Sequence, residues 1–497
     1  MSDRVTISLL PTGVPGLDEV LGGGLPEFSF NLIVGPPGSG KTTLAHQMMF
    51  ALATQQRPAV FFTVLGEPAL KMLRYQQQFA FFDFGRIDES IRFINLSDDV
   101  ASGKLERVLG RITQEVETCA AGLVFVDSFR SIMVEARHQP RGALGMQQFI
   151  QQLGIHLSGW QATTFLVGEY PSQTDPHPVF TLADGLLSLE QSVFRNSMVR
   201  QLQVLKMRGT SSRPGRQTFR ISNSGVEVFP AALVRDDHEA MQVAAESRPV
   251  RARLTTGVPG LDDMMGGGLP AGYSMLVAGP SGSGKSILAT AFLAEGVRRG
   301  EPGVIVAFEQ SPSQSSIRTI HDMVQAGQVG LLNTRTLDLS IDEVVQRLLS
   351  LIHRMHAKRV VIDSLSGFEL AVAPGFREDF RQSLFRMVAV LAGYGVTVLM
   401  TSELEDRYTD LRFSPYGSAF LTDAIIVQRY IEIDSHLKRV IAVVKVRGSA
   451  HSKELRLYEI TDEGILIGEP VRDHEALLGG SPRKCSIAPG ANARNSR

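Results

Sequence analysis

Gly35-Pro36-Pro37-Gly38-Ser39-Gly40-Lys41-Thr42 recurs as Gly279-Pro280-Ser281-Gly282-Ser283-Gly284-Lys285-Ser286, 244 residues further along the chain. Both stretches have the form G-x-x-x-x-G-K-[ST], in which main-chain N–H groups curl round nucleotide phosphates. An apolar run precedes each (Phe30 to Val34; Ser274 to Ala278), and a helical pattern follows (Thr42 to Ala53; Ser286 to Arg298). Strand, glycine loop and helix in that order aim the positive end of a helix at an anion. The pattern points to a nucleoside triphosphate, ATP, at each loop. Thr43 and Ile287, next in line, join the expected contact set.

The duplication reaches beyond the loops. Thr12 to Asp18 with Gly22 to Pro26 recurs as Thr256 to Pro270. Asp127-Ser128 recurs as Asp363-Ser364, and Lys206-Met-Arg-Gly209 as Lys445-Val-Arg-Gly448, with offsets that slip by a few residues. Such slips are what loop insertions and deletions leave in two duplicated domains. The expected division is a first domain over 1–240, a linker over 241–253, a second domain over 254–475 and a disordered tail over 476–497. That tail is rich in Gly, Ser, Pro and Arg; its positive charge either recruits an acidic partner or is simply solvated.

Inside each copy, short apolar runs alternate with helical patterns. They are Phe30–Val34, Ala59–Val64, Gly122–Val126, Thr163–Val167 and Gly185–Leu189, then Ser274–Ala278, Gly303–Phe308, Arg359–Ile362, Thr397–Thr401 and Ala424–Gln428. Near-continuous apolar strands between helices mark a parallel sheet covered on both faces. The fold class expected is α/β: two tandem P-loop NTPase domains, each a mainly parallel sheet flanked by helices. Alternating β-rich segments after the fifth run (Met198–Met207, Thr218–Ile221; Arg439–Val446, Glu454–Ile460) predict antiparallel hairpins extending each sheet.

Composition sets outer limits. A net charge of −1 over 497 residues gives no global pull towards nucleic acid or anionic membrane. Cys119 and Cys485 lie far apart and read as reduced thiols. The N-terminus lacks the apolar core of a signal peptide, and no window is apolar enough to span a membrane. Cytoplasm is the expected compartment.

Phosphoryl chemistry needs a lysine, a metal ligand, a carboxylate for the metal's water shell and a group that activates the nucleophile. Lys41 and Lys285 are placed to reach the β- and γ-phosphates, and Thr42 and Ser286 to supply hydroxyls to Mg²⁺. Asp127 and Asp363 each close an apolar strand, which suits a metal-water carboxylate better than a helix cap. The activating group differs between copies. Strand Val304–Phe308 ends in Glu309-Gln310, whereas the same place in the first copy is Leu65-Gly66, with Glu67 two residues on. A base must lie within about 3 Å of its target or act through water, and a shift of two residues moves a side chain by several ångströms. The first site is therefore expected to bind ATP and turn it over slowly or not at all. Thr42, Asp127, Ser286, Asp363 and Glu309 form the expected metal-associated set. Lys206 with Arg208, and Lys445 with Arg447, alternate before a glycine; such pairs suit a γ-phosphate or guard an exposed edge strand.

Thr12 to Pro26, Ile362 to Glu369 and Leu421 to Pro470 resemble the KaiC family of tandem RecA-like ATPases, and the likeness runs over about residues 10 to 475. The resemblance implies a double-layered hexameric ring with ATP held between neighbouring subunits. It implies that the Lys-x-Arg pair reaches the adjacent protomer's nucleotide. It further implies slow ATP hydrolysis, a serine/threonine autokinase in the second domain, and a signalling partner, KaiB-like or other. The family carries two adjacent glutamates at the activating position, and this chain does not. Where the clock protein has adjacent Ser-Thr phosphoacceptors this chain has Ala419 and Phe420, leaving Ser418 and Ser414 as candidate acceptors. Two other readings fit the same fold: a DNA-dependent ATPase of the RecA/RadA type, and an ATP-binding scaffold without hydrolysis.

Overall fold

The computed structural model describes residues 7–64, 69–132, 142–169, 178–194, 197–231, 252–308, 314–333, 339–372, 376–377, 380–404, 422–472, 474–475 and 483–484. The chain divides into two compact units, Met1–Ala231 and Ala232–Arg497.

In the first unit the main elements are β1 (Phe30–Val34), α1 (Lys41–Leu52), β2 (Ala59–Thr63), β3 (Ile91–Asn95), α2 (Leu105–Cys119), β4 (Leu123–Asp127), α3 (Gly142–Gly159), β5 (Thr163–Gly168), β6 (Gly185–Phe194), β7 (Ser197–Met207), β8 (Arg216–Ser222) and β9 (Gly225–Phe229). They build one nine-stranded sheet in the order β9-β8-β7-β6-β1-β5-β4-β2-β3. Strands β6 to β3 in that order run parallel, and β7, β8 and β9 add on antiparallel. The second unit repeats this with β10 (Ser274–Gly279), α4 (Lys285–Arg298), β11 (Gly303–Ala307), β12 (Val329–Asn333), α5 (Ile341–Met355), β13 (Arg359–Asp363), α6 (Phe380–Gly393), β14 (Thr397–Glu403), β15 (Ala424–Ile433), β16 (His436–Val446), β17 (Arg456–Thr461) and β18 (Gly464–Pro470). Its sheet order, β18-β17-β16-β15-β10-β14-β13-β11-β12, is the same order again. These are tandem RecA-like α/β domains.

The parallel strands are apolar throughout because each face meets helices. In the first unit Ile33, Phe61, Phe125 and Phe165 pack on Leu44, Ala45, Met48 and Met49 of α1. The alternate residues Leu32, Val60, Val124 and Leu166 pack on Val108, Ile112 and Val116 of α2 and Leu153 of α3. In the second unit Val277, Ile305, Val361 and Leu399 face Leu288, Phe292 and Leu293 of α4. Leu276, Val304, Val360 and Val398 face Val344, Leu348 and Ile352 of α5 and Leu384 and Leu391 of α6. Ser340 caps α5, its hydroxyl accepting from Glu343 N at 3.1 Å, a Ser-x-x-Glu start.

The predicted apolar runs and hairpins are all present. The edge strands β3, β9, β12 and β18 are not expected from the sequence; in β3 and β12 buried and exposed positions intermingle, so Ile91–Asn95 and Val329–Asn333 carry no continuous apolar signal. The repeated Thr-Gly-Val-Pro-Gly-Leu-Asp motif is a fastening. Asp18 Oδ1 accepts from Thr12 N (2.7 Å) and Thr12 Oγ1 (2.6 Å), and Asp262 Oδ1 accepts from Thr256 N and Oγ1 (2.8 Å each).

Among the described residues, a guanidinium is fully inside. Arg359, at the start of β13, is 0% exposed. Its Nε and Nη2 donate to Glu301 Oε2 (2.9 and 2.8 Å), and Nη1 donates to Thr255 O (2.8 Å) and Phe292 O (3.0 Å). Its guanidinium lies 4.7 Å from the Phe292 ring centroid. Nearby, burial works against the Glu295 charge, but the Thr255 hydroxyl and the Arg299 and Arg298 guanidiniums outweigh it and hold the carboxyl down at about 2.

Candidate functional site

Both phosphate loops sit where a parallel strand gives way to a helix, at the carboxyl end of the central strand of the sheet. Helices α1 and α4 begin at Gly40 (φ 99°) and Gly284 (φ 94°), neither with a side-chain cap, so their first N–H groups are turned into the loop. Glycine is required by space as well as by φ. A Cβ on Gly35 would lie 2.2 Å from Leu189 O, and one on Gly40 would lie 2.6 Å from Ile221 Cδ1. Gly38 and Gly282 (φ 76° each) turn the tips of the loops.

Lys41 Nζ donates to Pro36 O at 2.8 Å, and Lys285 Nζ donates to Gly279 O (2.9 Å) and Pro280 O (2.8 Å), so each ammonium lies over its own loop. Burial lowers the Lys41 ammonium from its ordinary value, opposed by the carboxylates of Glu169 and Asp127. Thr42 Oγ1 donates to Asp127 Oδ2 at 2.6 Å, bringing the predicted hydroxyl and carboxylate together across 85 residues. Burial pushes Asp127 up, opposed by that hydroxyl and by Lys41. In the second unit Asp363 accepts from Thr401 Oγ1 instead. Ser286 stands in the first turn of α4, and Thr43 and Ile287 follow in theirs. The peptide bonds Asp127–Ser128 and Asp363–Ser364 are both cis.

A hydroxyl and a carboxylate at the foot of a phosphate loop are hard oxygen donors and fit Mg²⁺, which takes one or two protein oxygens together with substrate phosphates. Among the described residues no group of three or more His, Cys, Asp or Glu could hold a metal ion unaided.

The backs of the two loops are held differently. Ser283 Oγ donates to Gln428 Oε1 (3.1 Å) and Tyr458 Oη donates to Ser283 O (2.5 Å), both buried. The first loop rests on apolar Phe219 and Ile221. Tyr458→Phe leaves the Ser283 carbonyl without its donor, a loss of about 1 kcal/mol or more. It is therefore expected to weaken ATP binding at the second loop several-fold, read by titration in a Lys41→Ala background. Unchanged affinity would mean that packing alone holds the loop.

The cation pairs are far from the loop of their own unit. Lys206 pairs with Leu186 and Met207 with Gly185, at the start of β6; Lys445 pairs with Ile425 at the start of β15. Lys206 Nζ donates to Thr181 O (3.0 Å), and Lys445 Nζ to Thr422 O (2.6 Å). Arg208 lies just past β7 rather than within it, and its Nη1 donates to Asp184 Oδ1 (3.2 Å); Arg447 Nη1 donates to Asp423 Oδ1 (3.3 Å). Asp184 and Asp423 also accept from Phe30 N and Ser274 N, the first residues of β1 and β10. From Phe30 to Gly35 is five residues, about 16 Å of strand. A bulge directly before each lysine, at Leu205 and at Val444, re-aims the strand in both units.

Glu309, Gln310, Leu65, Gly66, Glu67, Ser414 and Ser418 lie outside the described residues, as do Cys485, residues 241–251 of the expected linker 241–253 and most of the expected tail. Among the described residues no helix is long and apolar enough to cross a membrane. Three residues beside the loops were not anticipated: Glu169, Gln428 and Tyr458. An acidic residue closing the fourth apolar run in both halves (Glu169, Glu403) was the available signal for the first.

A family model described as "ATPase: KaiC" matches residues 10–232 and 254–472. The chain is similar to the circadian clock oscillator protein KaiC of Picosynechococcus sp., at 28% identity over 500 residues, covering 97% of this chain and 93% of that one. It is similar to KaiC 1 of Synechocystis sp. at 28% identity (97% and 93% covered) and to KaiC of Rippkaea orientalis at 28% (96% and 92%).

Proposed function

The chain belongs to the KaiC ATPase family, and from that premise we propose that it is an ATP-driven ring whose nucleotide sites are completed by neighbouring copies. The supporting observation is that Lys206, Arg208, Lys445 and Arg447 stand at the opposite end of the parallel strands from their own phosphate loop. Guanidiniums held about 16 Å along the strand from their own loop serve as arginine fingers for another protomer rather than for their own. The family resemblance supports six copies in that ring.

Residues 35–43 and 279–287 hold the two triphosphates, with Lys41 and Lys285 on the β- and γ-phosphates. Thr42 with Asp127, and Ser286 with Asp363, hold Mg²⁺, which when bound screens the charge on the phosphate oxygens. Glu309 activates water, or a protein hydroxyl on Ser418 or Ser414 in an autokinase reaction. Arg447 of a neighbour offsets the charge developing on the transferred phosphoryl group. Hydrolysis or phosphorylation then switches binding of a signalling partner, KaiB-like or other, in the cytoplasm.

Sedimentation with and without Mg·ATP tests the ring. Six-chain particles are expected with nucleotide, and Arg447→Ala should keep nucleotide binding while lowering turnover about 10³-fold at the second site. Specific activity independent of protein concentration in a monomeric sample would sink the shared site. Phosphopeptide mass spectrometry after Mg·ATP incubation tests the kinase: label on Ser418 or Ser414 that is lost in Glu309→Gln is expected, and no label leaves an ATPase alone.

A further inference from the structure

The first unit lacks a glutamate at the strand end that carries Glu309 in the second, yet its sheet brings another carboxylate to the same region. Strand β5 lies between β1 and β4, so the residue after it stands between the root of the phosphate loop and Asp127. Gly168 pairs with Val34, and Val167 pairs with Asp127. The next residue is Glu169, level with Gly35 on one side and one position past Ser128 on the other. Its carboxylate acts electrostatically on both Lys41 and Asp127. Arg130, three residues past Asp127, fixes it: Arg130 Nη1 donates to Glu169 Oε2 at 3.3 Å, and the Glu169 side chain stays 37% exposed, open to water.

The second unit has the reverse arrangement. Glu403 occupies the same register position, opposite Gly279, but the residue three past Asp363 is Ser366, which offers no guanidinium. The half that keeps a strand-end glutamate leaves this carboxylate unclamped from that position. The half without one clamps it.

Resting on the ATPase reading of the first loop, we infer that Glu169 is the catalytic carboxylate of the first site, orienting the attacking water in place of a strand-end glutamate. The water oxygen bonds to the γ-phosphorus as the bond from that phosphorus to the bridging β-phosphate oxygen breaks. The bonding pair leaves with ADP. The water's proton passes to the Glu169 carboxylate and from there to solvent. In a loose phosphoryl-transfer transition state the main contribution of such a group is holding the water in line.

The test uses the full chain with Lys285→Ala, which silences the second site. Phosphate release and fluorescent-nucleotide occupancy are measured together. Slow release is expected from Lys285→Ala, and adding Glu169→Gln should lower it about tenfold or more with occupancy unchanged, whereas adding Glu67→Gln should leave both as they were. The inference is overturned if Lys285→Ala releases no phosphate, if Glu169→Gln leaves release intact or removes occupancy with it, or if Glu67→Gln has the same effect. Failure of the ATPase reading itself would look different: no phosphate release from the unsubstituted chain.

Discussion

Lys285→Ala is expected to remove nearly all ATP turnover, about 100-fold or more at the second site, leaving only the slow release of the first. Lys285 places a full positive charge over a loop that otherwise offers N–H dipoles, held there by Gly279 O and Pro280 O. That charge matters most where the bond to the γ-phosphate breaks. The same change at Lys41, beside a site without a strand-end glutamate, should cost little turnover and mainly weaken nucleotide-dependent assembly. Phosphate release and sedimentation on the two variants separate these outcomes. Equal loss of turnover in both would contradict a division of labour between the halves.

Arg359→Leu is expected to destabilise the second unit by about 3–5 kcal/mol. The guanidinium makes two bonds to Glu301 and one each to Thr255 O and Phe292 O, with no solvent exposure. Leucine fills part of the space, but removes the guanidinium bonds to Thr255 O and Phe292 O and leaves the Glu301 carboxylate without its partner. For a unit of this size the loss corresponds to a fall in melting temperature of about 10 °C. Scanning calorimetry should show the first unit's transition in place and the second's lowered. A variant melting like the parent would mean that water replaces all four bonds.

The phosphate loops, the closing aspartates and every apolar strand of the parallel core were legible because each is a local pattern: a motif, or a run made apolar by two covered faces. The edge strands β3 and β12 were not, since half their residues face solvent. Thr42 and Asp127 could be paired on chemistry, and they are joined at 2.6 Å. The Lys-x-Arg pairs are visible in the sequence as repeated cations, but only strand register tells at which end of the sheet they stand. Tyr458 gave no local sign, because its tie to Ser283 spans 175 residues. Glu169 gave a weak one, a lone acid after an apolar run, which acquires meaning only when β5 is seen between β1 and β4.

The last strands of each half supply contacts that the early part of that half needs. Gln47, one turn beyond the first phosphate loop, exchanges bonds with the backbone of Val226 (3.1 and 2.6 Å), which is synthesised 179 residues later. Ser283 likewise waits for Tyr458. Neither loop gains these contacts on a nascent polypeptide until its final strands have left the exit tunnel, so the first loop is braced while the second half is still being made.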